Sequence, residues 1–384
     1  MKANKETLSY LVTIFLSILV LWFGWLYVRD GAEFFQNTSG EAHEEFLCRV
    51  LEVTDENQKV SALGDMYYLE RFIEFDAEIL RGGRKGDIIP VVQTIDNVST
   101  LGVEPVEKGD RLFVYLQSEE NGEQSWYAGD YYRSGQMGLL LGFFCLALLF
   151  FGGKKGFNTI LSLALTCGAV FFVFVPSILS GHNPYLFSCL TCLYVIGMTL
   201  SLVSGFSRKS LASALGCAGG VLVAGLMTVL MGYTMKLTGF LDDDSVYVYL
   251  MNPDQPIDLK AIIFAANIIG ALGATMDVAM SLSSSLHELA EQAPDLGFRK
   301  LFFSGIRIGQ DIMGTMANTL VLAYIGGSLS TVLLFLSYQA SLLQLLNREL
   351  IVVELLQALS GSIGILFTIP ISAFVASLLY RKRA

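Results

Sequence analysis

The chain has 384 residues, of which 53% are apolar and only 16% charged, with a formal net charge of −10 at pH 7. Its apolar residues gather into runs near the roughly 20 residues a helix needs to cross hydrocarbon. That excludes a soluble globular protein and points to a polytopic membrane protein.

Eight such runs stand at about 8–28, 136–152, 158–179, 185–205, 211–236, 260–285, 304–336 and 350–380. The first resembles a signal peptide, but its apolar core is longer than a typical h-region. No small-x-small cleavage site follows before Arg29, so a retained anchor helix is expected. Threading the chain from a cytoplasmic amino terminus puts Lys2/Lys5, Lys154/Lys155, Arg208/Lys209, Arg299/Lys300 and Arg381/Lys382/Arg383 on one side. The SGHNP loop (180–184) opposite has no Lys or Arg, and the 338–349 loop has only Arg348. This is the positive-inside bias, with both termini in the cytoplasm.

Residues 30–135 contain 22 acidic and 9 basic side chains, a net charge of −13, while the rest of the chain sums to +3. An acidic soluble domain outside the membrane is therefore expected between the first two spans. Such a surface disfavours nucleic acid and anionic lipid and suits cations or basic partners; simple solubility is the other reading. The segments 45–53, 67–80, 87–95, 111–117 and 125–133 are rich in β-branched or aromatic residues. Gly and Asp clusters such as RGGRKGD (81–87) separate several of them. Five short strands suit a small OB-like barrel serving as a structural or partner-docking module.

Cysteine adds little. Cys48 is the only thiol in the acidic domain, so no disulfide forms within it. Cys189 and Cys192 match C-x-x-C but sit within apolar sequence, where cysteine acts as a small hydrophobe. No metal and no cofactor is expected.

Asp277 and Asp311 each interrupt an apolar run, and a carboxylate at membrane depth costs a few kcal/mol unless paired, solvated or protonated. At 100° per residue, Gly270, Gly273, Asp277, Ser281, Ser284 and Glu288 share one face of their helix. Ser304, Arg307, Asp311, Gly314, Thr315 and Asn318 share one face of the next. Gly270, Gly273 and Gly314 are expected to let the helices pack closely. Asp277 lies 17 residues from Lys260, about 25 Å of rise, and Asp311 seven residues from Ser304, about 10 Å. Both then sit toward the cytoplasmic side at similar depth.

Two readings follow. In one, Asp277 and Asp311 bind or exchange a cation or proton, with Arg307 as counter-ion and Ser281, Thr315 and Asn318 as neutral ligands. In the other, Asp277, Arg307 and Asp311 form an ion cluster that locks two helices together. Enzyme readings fare worse. HELAE (287–291) lacks the second His of a zinc-protease helix, and no nucleophile elbow or Walker loop is present. The segment 287–309 loosely resembles the coupling loop of a permease that works with a cytoplasmic ATPase.

The blocks GALGATMDVAMSLSSSLHEL (270–289) and SGIRIGQDIMGTMANTLVLAYIG (304–326) resemble the signature of the YibE/F family of bacterial multi-pass membrane proteins. The anchor and outer domain are similar to those of the YibE-type member. Gln310 stands where the family's G-R-D-I-M-G-T-M pattern has Arg. The resemblance implies an integral membrane protein, often encoded beside a shorter YibF-type relative, and supplies no substrate.

The expected architecture is an α-helical polytopic membrane protein of about eight spans. It comprises an anchor (1–29), an acidic extracytoplasmic β domain (30–135) and a seven-helix membrane domain (136–384). Its expected function is that of a bacterial cell-membrane transporter or transport-complex subunit, not an enzyme. The contrasting class is an envelope scaffold that recruits a partner. Expected partners are the lipid bilayer, a cation or proton, and a YibF-type protein or further copies of the chain; nucleic acid is not among them.

Overall fold

The computed structural model describes residues 2–29, 45–63, 66–96, 103–118, 124–250, 256–337 and 341–380. The basic residues Arg381, Lys382 and Arg383 lie outside these. The chain divides into two compact units, one of residues 36–147 and one of residues 1–35 with 148–384.

In the smaller unit, β1 (Glu45–Leu63), β2 (Met66–Ile79), β3 (Ile88–Asp96), β4 (Arg111–Ser118) and β5 (Gln124–Tyr131) close into a barrel. The order is β1-β2-β3-β5-β4, with β3 and β5 parallel and the other neighbours antiparallel. Alternation drives the closure. Ile73, Phe75, Ala77 and Ile79 of β2 point inward to meet Cys48, Val50, Ile89, Val91, Leu112 and Val114. Buried Gln93 uses both ends of its amide: Nε2 donates to the Glu104 carbonyl (3.1 Å), and Oε1 accepts from the Val106 amide (3.0 Å).

The sequence pattern ends the first strand at 53, whereas β1 continues to Leu63. Its polar stretch pairs with β2 as far as Leu63 opposite Met66. Residues 52–60 are exposed, so no apolar alternation marks this extension.

In the larger unit, α1 (Lys2–Tyr27) precedes a long element. That element comprises α2 (Ser134–Ala169), a π turn (Val170–Phe174) and α3 (Val175–Leu179). Then come α4 (Pro184–Ser204), α5 (Arg208–Thr234), α6 (Asp243–Leu250), α7 (Leu259–Gln292), α8 (Phe298–Gly327), α9 (Leu329–Ser337), α10 (Leu342–Leu345) and α11 (Glu349–Tyr380). Asn183 and Asp258 cap α4 and α7 by accepting backbone amides.

Among the described residues, six helices are long and apolar enough to cross a membrane: Tyr10–Tyr27, Ser134–Leu179, α4, α5, α7 and α11. Two features separate this from the eight apolar runs. The runs 136–152 and 158–179 join in one element, broken at Gly153 (φ 52, ψ −125) in a conformation that glycine favours. The run 304–336 is divided between α8 and α9, and α8 carries Arg299, Lys300, Arg307 and Asp311.

The centre is α5, α7 and α11. Gly216 lies against Ser372, and Gly220 against Thr368 and the Gly364 backbone, with no room for a Cβ at either glycine. The two helices run antiparallel in close contact, the small-x-x-x-small geometry of membrane helix pairs. Ser213 donates to the Ala279 carbonyl (3.3 Å), and Gly225 meets Phe264 and Ile268, which sets α7 along the other side of α5. The Glu349 carboxylate at the start of α11 accepts from the Thr238 and Gly239 amides (2.6 and 2.7 Å) and pins the turn after α5.

Candidate functional site on the polar faces of two adjacent helices

Helix α7 is buried on most of its circumference; Val278, Ala279, Leu282 and Leu286 are fully enclosed. Its open line consists of small and polar residues, with Gly270, Gly273, Asp277, Ser281 and Glu288 all exposed. Helix α8 seats Leu301, Gly305 and Gly309 against the bundle, Gly305 meeting Ala373 and Leu286 and Gly309 meeting Ile369. Arg307, Asp311, Gly314 and Asn318 fall on the opposite side of α8 at 100° per residue, with Thr315 beside them. All five are exposed.

Gly270 lies against Tyr324, and Leu286 against Gly305. The two helices are therefore antiparallel, with Asp277 level with about Thr315 and Ser281 with about Asp311. Asp311 thus lies about one helical turn along the pair from the level of Asp277. The expected enclosure is not present: both polar lines are open, and that of α8 points away from the bundle instead of into an α7–α8 seam.

Among the described residues, the Asp277, Arg307 and Asp311 side chains form no ion pair and no hydrogen bond. The expected locked cluster is thus not formed within one chain. Thr315 Oγ1 donates to the Ile312 carbonyl of its own helix (2.9 Å). Of the three glycines expected at helix contacts, Gly270 packs under the Tyr324 hydroxyl. Gly273 and Gly314 have nothing within 4 Å of a built Cβ. The close approaches belong instead to Gly216, Gly220, Gly305, Gly309 and Gly364.

A second polar feature escaped the sequence reading. Asn267 is fully buried where α5, α7 and α11 meet. Its Nδ2 donates to Thr228 Oγ1 and to Ser360 Oγ (2.8 Å), while Oδ1 has no partner among the described residues. Both hydroxyls in turn donate to carbonyls four residues back, Ala224 and Leu356. Ser360 also lines a cavity of about 580 Å³, with Met227, Met231, Met235 and Glu349 among its other walls. Glu354, half-buried in α11, is a further carboxylate within an apolar run. The rule that selected Asp277 applies equally to Asn267 and Glu354. Both were masked by the richer apolar sequence around them.

Among the described residues, no group of three His, Cys, Asp or Glu is placed to hold a metal ion. Cys192 is buried in the apolar core with Val195, Ile196 and Cys217, whereas Cys189 is exposed.

A family model described as YibE/F-like protein matches residues 140–382. The chain belongs to the YibE/F-like family. The match covers both polar helix faces and the Asn267 cluster, and the β-barrel lies outside it. No curated protein and no solved structure matches the chain.

Proposed function

We propose that this YibE/F-like chain is a transporter, or a subunit of a transport complex, in the bacterial cell membrane. Its cation- or proton-coupled site is the polar face carried by α7 and α8. Asp277 and Asp311 take up the cation or proton, Arg307 is the counter-ion, and Ser281, Thr315 and Asn318 are neutral ligands. In this reading α8 crosses the bilayer, the Ser134–Leu179 element crosses it twice about its break at Gly153, both termini are cytoplasmic, and the β-barrel is extracytoplasmic.

The observation that carries the reading is that Asp277, Arg307 and Asp311 stand exposed without ion pairs. Charges retained at membrane depth as a helix lock need each other as partners. Charges without a partner in their own chain are costly there and must be met by a mobile ion or by groups from outside the chain.

Purified protein tests the proposal through thermal stability across pH and across added monovalent and divalent cations, repeated with Asp277→Asn and Asp311→Asn. Each substitution keeps shape and hydrogen-bonding capacity. The expected result is well-folded variants that lose the ion- or pH-dependent shift of the native chain. Unchanged shifts in both variants would remove the site.

A further inference from the structure

The polar face of α8 is only half of an enclosure. Arg307, Asp311, Gly314 and Asn318 lie on the side of the helix turned away from α7 and α11. Hydrocarbon does not accept an uncovered cation and anion. Something must cover them, and three features identify the cover.

The first is charge. Arg307 and Asp311 are one turn apart on the same line, about 6 Å between Cβ atoms. A two-fold axis through this face sets Arg307 of each copy opposite Asp311 of the other, so the surface is complementary to itself. The second is shape. Gly305 and Gly309 of α8 pack closely against the bundle, whereas Gly314 on this face, like Gly326 and Gly327 farther along the helix, has nothing within 4 Å among the described residues. A glycine without a packing reason inside the chain allows another helix to approach closely. The third is that Gly273 and Asp277 of the neighbouring α7 are likewise open among the described residues.

We infer that a second copy of this chain covers the α8 face, so that the polar site is completed by Arg307 and Asp311 from both copies. The inference rests on the membrane-embedded reading of α8 proposed above and adds the occupant. Each copy supplies half of the charges, and the space between the two α8 helices is the enclosure that one chain lacks.

The test uses the full chain in phospholipid nanodiscs and bilayers, with copy number counted by single-molecule photobleaching. The native chain is expected to bleach mainly in two steps. Arg307→Asp alone sets acids against acids, and Asp311→Arg alone sets bases against bases; each is expected to reduce the dimer at least tenfold. Co-expressed with different tags, these two variants restore complementarity and are expected to co-purify as a mixed pair. Gly314→Leu meets open space within its own chain, so it folds and is expected to be monomeric.

A native chain that bleaches in one step at every protein density overturns the inference, whatever partner then covers the face. So does a folded Gly314→Leu variant that remains dimeric, which also decides the matter if the charge variants fail to fold. A mixed pair that forms no better than either variant alone does the same. The transport reading fails separately. A dimer whose Asp277→Asn and Asp311→Asn variants keep the native ion response removes transport and leaves the dimer standing, and a monomer with an Asp-dependent ion response does the reverse.

Discussion

A Cβ built on Gly364 would stand 2.9 Å from the Gly220 carbonyl oxygen, so α5 and α11 touch backbone against backbone. Any side chain at either position must push the helices apart. Gly220→Val and Gly364→Val are each expected to lower stability by about 2–3 kcal/mol. Gly273→Ala, which meets open space, is expected to change it by less than about 0.5 kcal/mol. Unfolding in mixed detergent micelles measures both, and equal effects at Gly273 and Gly220 would refute the packing assignment.

Asn267 joins three helices through one amide. Asn267→Ala removes its bonds to Thr228 and Ser360, yet those hydroxyls keep their own carbonyl acceptors. Interhelical hydrogen bonds in membranes contribute about 0.6 kcal/mol on average, and a small cavity adds to the loss. A destabilisation of about 1–2 kcal/mol is therefore expected in the same assay. A loss of more than about 4 kcal/mol would mean that the amide holds something further.

Burial inside the barrel pushes the Cys48 thiol up to about 11 from 9.0. Its neutral form is favoured in the fold, so this contribution is complete below the unfolded value and is lost as pH rises from about 9 to about 11. At pH 8, maleimide is expected to label Cys48 far more slowly in the folded chain than in the chain unfolded by denaturant, read by peptide mass spectrometry. Cys48→Val is expected to flatten part of the alkaline loss of barrel stability. Prompt labelling of Cys48 in folded protein would contradict its enclosure.

The proposed orientation is tested with reporters. Fusions after Lys155, Lys209 and Lys300 are expected to be cytoplasmic, and one after Arg133 extracytoplasmic. A cytoplasmic signal from the Arg133 fusion overturns the orientation.

The five strands were legible because Phe75, Ala77 and Ile79 alternate with Glu74, Asp76 and Glu78, a period-two signal set by local chemistry. The extension of β1 to Leu63 was not, because Asp55 to Lys59 pair along the chain edge without burying anything. In the membrane unit, periodicity placed Asp277 and Asp311 on polar faces correctly but could not say which way those faces turn. A polar stripe looks the same whether it faces a neighbouring helix or points outward; Gly305 against Ala373 decides that α8 turns its stripe out. The packing contacts were readable in part. Gly216, Gly220, Ala224 and Thr228 stand four apart, as do Ser360, Gly364, Thr368 and Ser372, which is the spacing of close helix contact.

Beyond Val50, β1 is hydrogen-bonded along one side only, to β2, among the described residues. Its other side pairs with no strand among the described residues, although the Glu56 amide is taken by the Asp55 carboxylate (2.8 Å); such a border is the kind onto which a stray chain can add as a new strand. Asp55, Glu56 and Lys59 occupy that border, and the guanidinium of Arg71, a β2 residue paired with Gln58, bonds the Glu56 carboxylate at 2.5 Å and holds its titration below the usual glutamate range. Glu56 thus keeps its charge to lower pH than a glutamate without such a partner. The ribbon's length projects a hairpin from the barrel, while its charges protect that hairpin from being recruited into a growing sheet.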